Sequence, residues 1–228
     1  MNYLSHFYFE KGTLDPYQIL GVALPDLYKG AERGKNIHPK PCPPEFQHLK
    51  KEWDGINKGW ARHVLLDHVF HNEPYFEQNM AYLTDLLRKV PFENKYVKPH
   101  FISHVMLELI LDGVILRKGE VDPQKFYDQL NRINPEIVAS FLAAAGLKNT
   151  PRFLAFFEKF KEYKYVFSYE DSSKLYFALN RIFGRLWESD FEDNKIAIIG
   201  VIDQGFAHIS KNYSQIYSII DPHLNSNS

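Results

Sequence analysis

The sequence predicts an all-α protein folded as a single helical bundle, and three observations carry that prediction. Apolar residues recur at helical spacing: Leu175, Leu179, Ile182, Phe183 and Leu186 fall at i, i+4, i+7, i+8 and i+11, one face of an amphipathic helix. Helix-start signals recur as well. Asp15-Pro16, Asp122-Pro123, Asn134-Pro135 and Thr150-Pro151 each set a capping side chain before a proline. The missing N–H of a proline is harmless at the first helical position, where no intrahelical acceptor exists. Sustained period-2 alternation and Asn-Gly or Asp-Gly hairpin turns are both absent.

Taken in order, helical segments are expected at 2–9, 16–30, 45–58, 60–87, 98–117, 123–131, 135–145, 151–163, 172–187 and 192–219. The second opens at Asp15-Pro16 and closes at Lys29-Gly30, a cation and a glycine at a helix C-terminus. Pro25 inside it removes a backbone donor and bends it, a feature tolerated where a side chain must be aimed. Residues 31–44 hold Gly34, Pro39, Pro41, Pro43 and Pro44, too much proline for a helix. The segments at 123, 135 and 151 open at their proline caps. The tract Phe153-Leu154-Ala155-Phe156-Phe157 with Phe160 and Tyr163 reads as packed core, with a partner or dimer surface as the alternative. A border near Gly146, Asn149 and Thr150 is conceivable, but one domain over residues 1–228 is preferred.

Composition narrows the function. Lys+Arg 27 against Asp+Glu 28 gives a net charge of −1, so no basic field recruits nucleic acid. No stretch approaches the ~18 uninterrupted apolar residues of a membrane span. The short apolar start, Met1 to Tyr8, lacks the charged region of a targeting signal. A soluble cytoplasmic protein is expected. The single cysteine, Cys42, excludes an intrachain disulfide and the Cys₄ and Cys₂His₂ zinc sites. With 10 histidines beside it, any bound metal is held through nitrogen and oxygen.

Two ladders place such donors. His63, Asp67 and His71 stand at i, i+4 and i+8, advancing only about 40° per step on a helix, so they line one stripe. Taken alone, this spacing also fits solvated side chains on a helix flank. The second ladder is His104, Glu108 and Asp112, the polar exceptions within 104–112 of a stretch, Phe101 to Leu116, that is apolar nearly all round. Burying two carboxylates and an imidazole without partners costs several kcal/mol each, so they must pair or hold a cation. A closed His–Glu network competes here with a metal or catalytic site. His6, the one side chain in the first nine residues that ionises near neutral pH, and Asp26, following Pro25, join the candidates.

Met1-Asn2-Tyr3-Leu4-Ser5-His6, then Gly21, Asp26, Lys29 and Gly30, then Gly59, His63 and Asp67 with Pro74 downstream, resemble the acyl carrier protein phosphodiesterase family over roughly the first 120 residues. A weaker echo covers Leu179 to Leu186. The resemblance implies an HD-domain-like helical phosphohydrolase that uses a divalent cation, typically Mn²⁺, to release 4′-phosphopantetheine from holo-acyl carrier protein. It carries His6, Asp26, His63, Asp67 and His104 over as site residues, with Asp26, His63, Asp67 and His104 as the catalytic set. Three positions depart from the pattern. Ser103 replaces the Asp before the later histidine, Val64 a basic residue, and His71 a second Asp beyond Asp67. A neutral hydroxyl is a poor metal ligand, so Glu108, Asp112 or His71 are candidates to compensate.

The expected centre is thus one or two ions held among His6, Asp26, His63, Asp67, His71, His104, Glu108 and Asp112. Mn²⁺ is the favoured ion, with Fe²⁺, Mg²⁺ or Zn²⁺ as alternatives. Lys29 or Arg181 would steady the phosphate. Segment 27–51, with Lys29, Arg33, Lys35, Lys40, Lys50 and Lys51 against Glu32 and Glu45, is either a solvated loop or the docking surface for an acidic carrier protein. Two other readings stand beside this one: an HD-like hydrolase of another phosphoester such as a nucleotide, and a non-catalytic helical binding protein with a degenerate site.

Overall fold

The computed structural model describes residues 1–31, 36–93, 97–187 and 191–225, except for the side chains at 30, 31, 185–187 and 225. It is 77% helical, with no strand among the described residues. The α-helices are α1 (Tyr3–Tyr8), α2 (Pro16–Ala31), α3 (Lys50–Asn72), α4 (Pro74–Leu87), α5 (Pro99–Arg117), α6 (Pro123–Asn131), α7 (Pro135–Ala144), α8 (Thr150–Tyr163), α9 (Ser172–Trp187), α10 (Lys195–Ile209) and α11 (Gln215–Asn225). Their contacts separate into two units, each discontinuous in sequence. The first contains Met1, 67–120 and 167–228, the second 2–66 and 121–166.

In the first unit α5 packs against α4, α9 and α10. It is the helix, among the described residues, long and apolar enough to cross a membrane, and 61% of that window is buried within the fold. Two glycines permit the close approaches. A Cβ at Gly113 would fall 2.4 Å from the Tyr169 carbonyl oxygen, and one at Gly205 2.6 Å from Ile110 Cδ1.

In the second unit α2 packs against α1, α6 and α8, and α7 against α8. The aromatic tract is core, as expected: Phe153, Phe157 and Phe160 are buried, while Tyr163 at its end is exposed. Residues 36–43 have no helix, in keeping with their prolines, and a 3-10 helix covers Pro44–Leu49. This stretch is tied down by Lys40, whose carbonyl accepts from Trp53 Nε1 at 2.8 Å and Asn57 Nδ2 at 3.1 Å.

Three helix expectations need correction. The segments 45–58 and 60–87 are not the helices formed: α3 runs unbroken through Gly59, and the break falls at Glu73-Pro74. Proline has no donor and crowds the preceding residue out of the helical region, and Glu73 sits extended at φ −92°, ψ 145°. Gly59 serves packing instead, since a Cβ there would fall 2.1 Å from the Gln18 carbonyl oxygen of α2. The long segment 192–219 is likewise interrupted. A 3-10 helix at Glu192–Asn194 precedes α10, and Ser210-Lys211-Asn212-Tyr213-Ser214 separates α10 from α11. Serine and asparagine compete with the backbone for hydrogen bonds. There the Lys211 and Asn212 amides bond back only three residues, to His208 and Ile209.

The proline caps mostly form as read. Asp122 and Asn134 accept from the Gln124 and Glu136 amides, and Asp15 accepts from Tyr17 at 3.0 Å. At α8 the cap is Asn149, one residue before Thr150, accepting from Arg152.

Candidate metal centre

The first unit gathers one donor cluster. His71, in the last turn of α3, places Nε2 3.0 Å from Glu108 Oε1 on α5, and His104 Nε2 lies 3.2 Å from the same oxygen. The three ligand atoms lie within 4.8 Å of one another. The His104–Glu108 half follows from i, i+4 spacing on one helix. Tertiary packing supplies His71. Phe76 of α4 holds both rings, meeting His71 edge-on at 4.7 Å and His104 at 5.0 Å between centroids. Glu108 is 18% exposed and His104 39%, so the cluster is partly open to solvent.

A further cation reaches this carboxylate. The Met1 ammonium donates to Glu108 Oε1 at 3.0 Å and to Asp67 Oδ1 at 2.9 Å. Burial alone pushes the Glu108 carboxyl up. The ammonium and the hydrogen bonds from His104 and His71 outweigh it and hold the group well below the usual carboxylate range. Glu108 is therefore a fixed anion.

In the second unit His6 and His63 are both buried and stack face to face, with ring centroids 4.0 Å apart and 19° between planes. Each offers a nitrogen within 4.8 Å of the other's. His63 Nδ1 lies 2.8 Å from the Val22 carbonyl oxygen. A carbonyl only accepts, so Nδ1 carries the proton. The Gly21–Gly59 crossing brings that carbonyl close enough, and Pro25 leaves the adjacent Gly21 carbonyl without its helical donor. Asp67 follows His63 by one turn of α3.

The remaining candidates are not gathered into either cluster. Asp26 is half-buried on α2 directly after Pro25, and Asp112 is fully buried on α5. Among the described residues neither belongs to a metal-capable group. The ladder His104–Glu108–Asp112 is thus split between a partly open end and a closed one. Lys29 and Arg181 are exposed on α2 and α9. Of the basic segment, Lys40, Lys50 and Lys51 are exposed, with Lys50 paired to Asp54. Glu32, Arg33 and Lys35 lie outside the described residues.

Ser103, Val64 and His71 each have a definite place in the fold. Ser103 is buried, its Oγ 2.6 Å from Thr84 Oγ1 of α4 and donating to the His100 carbonyl at 2.8 Å. Adjacent helical residues point about 100° apart, so position 103 faces α4 while His104 faces the cluster. Val64 is an exposed apolar residue. His71 joins the cluster as a ligand-capable nitrogen.

Phe76, Thr84 and the Val22 carbonyl are parts that sequence reasoning missed. Each acts across helices, and nothing in local spacing signals a cross-helix neighbour. No family model matches the chain, and no curated protein or solved structure is significantly similar to it.

Proposed function

We propose that this protein is a divalent-cation-dependent phosphodiester hydrolase of the HD-like acyl carrier protein phosphodiesterase kind, releasing 4′-phosphopantetheine from holo-acyl carrier protein. The observation that carries the reading is the meeting of His71, His104 and Glu108 at one partly open point, with ligand atoms within 4.8 Å. The motif order through His6, Asp26, His63 and Asp67 supports it.

The donor set fits a divalent ion. Two imidazole nitrogens and a carboxylate held anionic present one negative charge and no thiolate. Such an ion, when bound, lowers the pKa of a coordinated water and polarises a phosphoryl oxygen. The resemblance implies Mn²⁺, with Fe²⁺, Mg²⁺ and Zn²⁺ as alternatives. The chain's own residues supply the rest. His71, His104 and Glu108 hold the ion. His63 is oriented by the Val22 carbonyl, to which its Nδ1 donates. Exposed Arg181 is the cation for phosphate, and Lys29, Lys40 and Lys51 offer an acidic carrier protein a basic edge.

One observation favours a second, non-catalytic reading. Glu108 Oε1 already accepts from the Met1 ammonium and two imidazoles, a self-satisfied polar network. Metal analysis of the purified protein, then phosphodiesterase assay on holo-acyl carrier protein with added Mn²⁺, separates the two. The hydrolase reading expects activity that needs a divalent ion and falls at least ~100-fold in His63→Ala and His104→Gln of unchanged far-UV circular dichroism. Protein inert with every divalent ion sinks it. Activity on small phosphodiesters but not on the carrier protein redirects it to another phosphoester, such as a nucleotide.

A further inference from the structure

We infer that His71, His104 and Glu108 form a two-histidine, one-carboxylate centre that selects Zn²⁺ over Mn²⁺ and Mg²⁺. The inference rests on the divalent-cation part of the reading above and not on the phosphoester chemistry.

Distances come first. Two ligands on a zinc ion at ~2.0–2.1 Å stand roughly 3.3–3.4 Å apart in a tetrahedron, and roughly 2.9 Å apart at the right angles of higher coordination. The observed separations, 3.0 Å and 3.2 Å from Glu108 Oε1 to the two Nε2 atoms, fall between these limits. Glu108 Oε1 is therefore spaced to share one ion with either imidazole nitrogen. The donors also stand on helices, α3 and α5, with Phe76 packed against both imidazoles, so the set is preorganised.

The donors themselves decide the ion. Hard cations such as Mg²⁺ and Mn²⁺ are held chiefly by carboxylate, carbonyl and water oxygens. Here two of the three donors are neutral imidazole nitrogens and one is a carboxylate oxygen. A single anionic ligand gives a weak Coulombic hold on any dication, and stronger imidazole coordination compensates it for the later transition metals. Three protein ligands with partial exposure leave a position for water, the pattern of two-histidine, one-glutamate zinc sites that act on bound water. Each imidazole moves its proton from Nε2 to Nδ1 on binding, freeing the lone pair that the ion takes. The Met1 ammonium shares Glu108 Oε1, so the ion competes with it for that oxygen.

The test uses the full chain stripped of metal, titrated with Zn²⁺ or Mn²⁺ alone by calorimetry and with Co²⁺ by visible absorption. Expected are saturable Zn²⁺ binding tighter than Mn²⁺ by on the order of 100-fold, and a Co²⁺ ligand-field band that Zn²⁺ displaces. His104→Gln and Glu108→Gln, with unchanged circular dichroism, each lose one Zn²⁺ equivalent or weaken it at least ~10-fold. His71→Asp supplies an oxygen donor and narrows the Zn²⁺/Mn²⁺ gap by on the order of 10-fold, an effect that misfolding does not produce. Mn²⁺ bound as tightly as Zn²⁺, or Zn²⁺ binding indifferent to all three substitutions, overturns the centre. A protein with the expected zinc profile but no phosphodiesterase activity refutes the hydrolase and leaves the centre standing. Mn²⁺-dependent hydrolysis with no zinc response at these residues refutes the centre alone.

Discussion

Gly59→Ala is a single methyl group placed where α2 and α3 touch. A Cβ at Gly59 would lie 2.1 Å from the Gln18 carbonyl oxygen, 2.7 Å from the Val22 nitrogen and 2.9 Å from the Gly21 carbonyl carbon. All three are backbone atoms, so no rotamer change relieves the clash and the two helices must separate. Overpacking of this kind costs ~1–3 kcal/mol, and immovable neighbours put this site at the upper end. Alanine's better helix propensity returns about 1 kcal/mol, for a net loss of about 2 kcal/mol. At roughly 2–4 °C per kcal/mol for a chain of this size, the melting temperature falls by about 4–8 °C. Gly200→Ala in α10 is the matched control. Nothing lies within 4 Å of a Cβ there, so propensity alone acts and stability rises by about 0.5–1 kcal/mol. Thermal unfolding followed by circular dichroism reads both. Separation of α2 from α3 also stretches the 2.8 Å bond from His63 to the Val22 carbonyl. ¹⁵N NMR of the imidazole should therefore show His63 losing its single tautomer in Gly59→Ala and keeping it in Gly200→Ala. A Gly59→Ala protein as stable as wild type, or with the His63 tautomer intact, would show that the crossing is not as close as described.

Two other outcomes are expected. Ser103→Asp buries a carboxylate against Thr84 and the His100 carbonyl, costing on the order of 3 kcal/mol. It should add no metal affinity by calorimetry, because position 103 faces α4; a gain in binding would contradict that orientation. Glu108→Gln should flatten the acid limb of stability. A carboxyl held below its unfolded value of ~4.3 contributes fully above that pH and loses the contribution as pH falls toward its lowered folded value. Denaturant titrations from pH 6 to 3 should therefore show a steeper decline in wild type than in Glu108→Gln, and parallel declines would count against the network around Glu108.

How far the fold could be read ahead of the structure varies element by element. α2, α5, α6 and α9 match their expected spans closely, because caps, prolines and apolar spacing all act within a few residues. Gly59 misled for an instructive reason. Taken as a boundary, it proved to be a contact, and a glycine selected for packing looks the same in sequence as one that ends a helix. Pro74, by contrast, stated its effect locally, and the break at Glu73 follows from sterics alone.

The candidate site divides the same way. That His104, Glu108 and Asp112 share a stripe, and that His63, Asp67 and His71 share another, was settled by helical geometry before any packing was known. Spacing treats the three members of each ladder alike, and folding does not. Glu108 meets His71 and the Met1 ammonium at a partly open point, whereas Asp112, one turn further along α5, is enclosed. Phe76 orients two imidazoles from a third helix, and the Val22 carbonyl fixes the His63 proton from across a glycine crossing. The repeat of a helix is a property of its own backbone and is written in its residues. Which neighbour stands opposite each residue depends on how separate helices dock. That docking separates a row of equivalent donors into a partly open cluster around Glu108 and an enclosed carboxylate at Asp112.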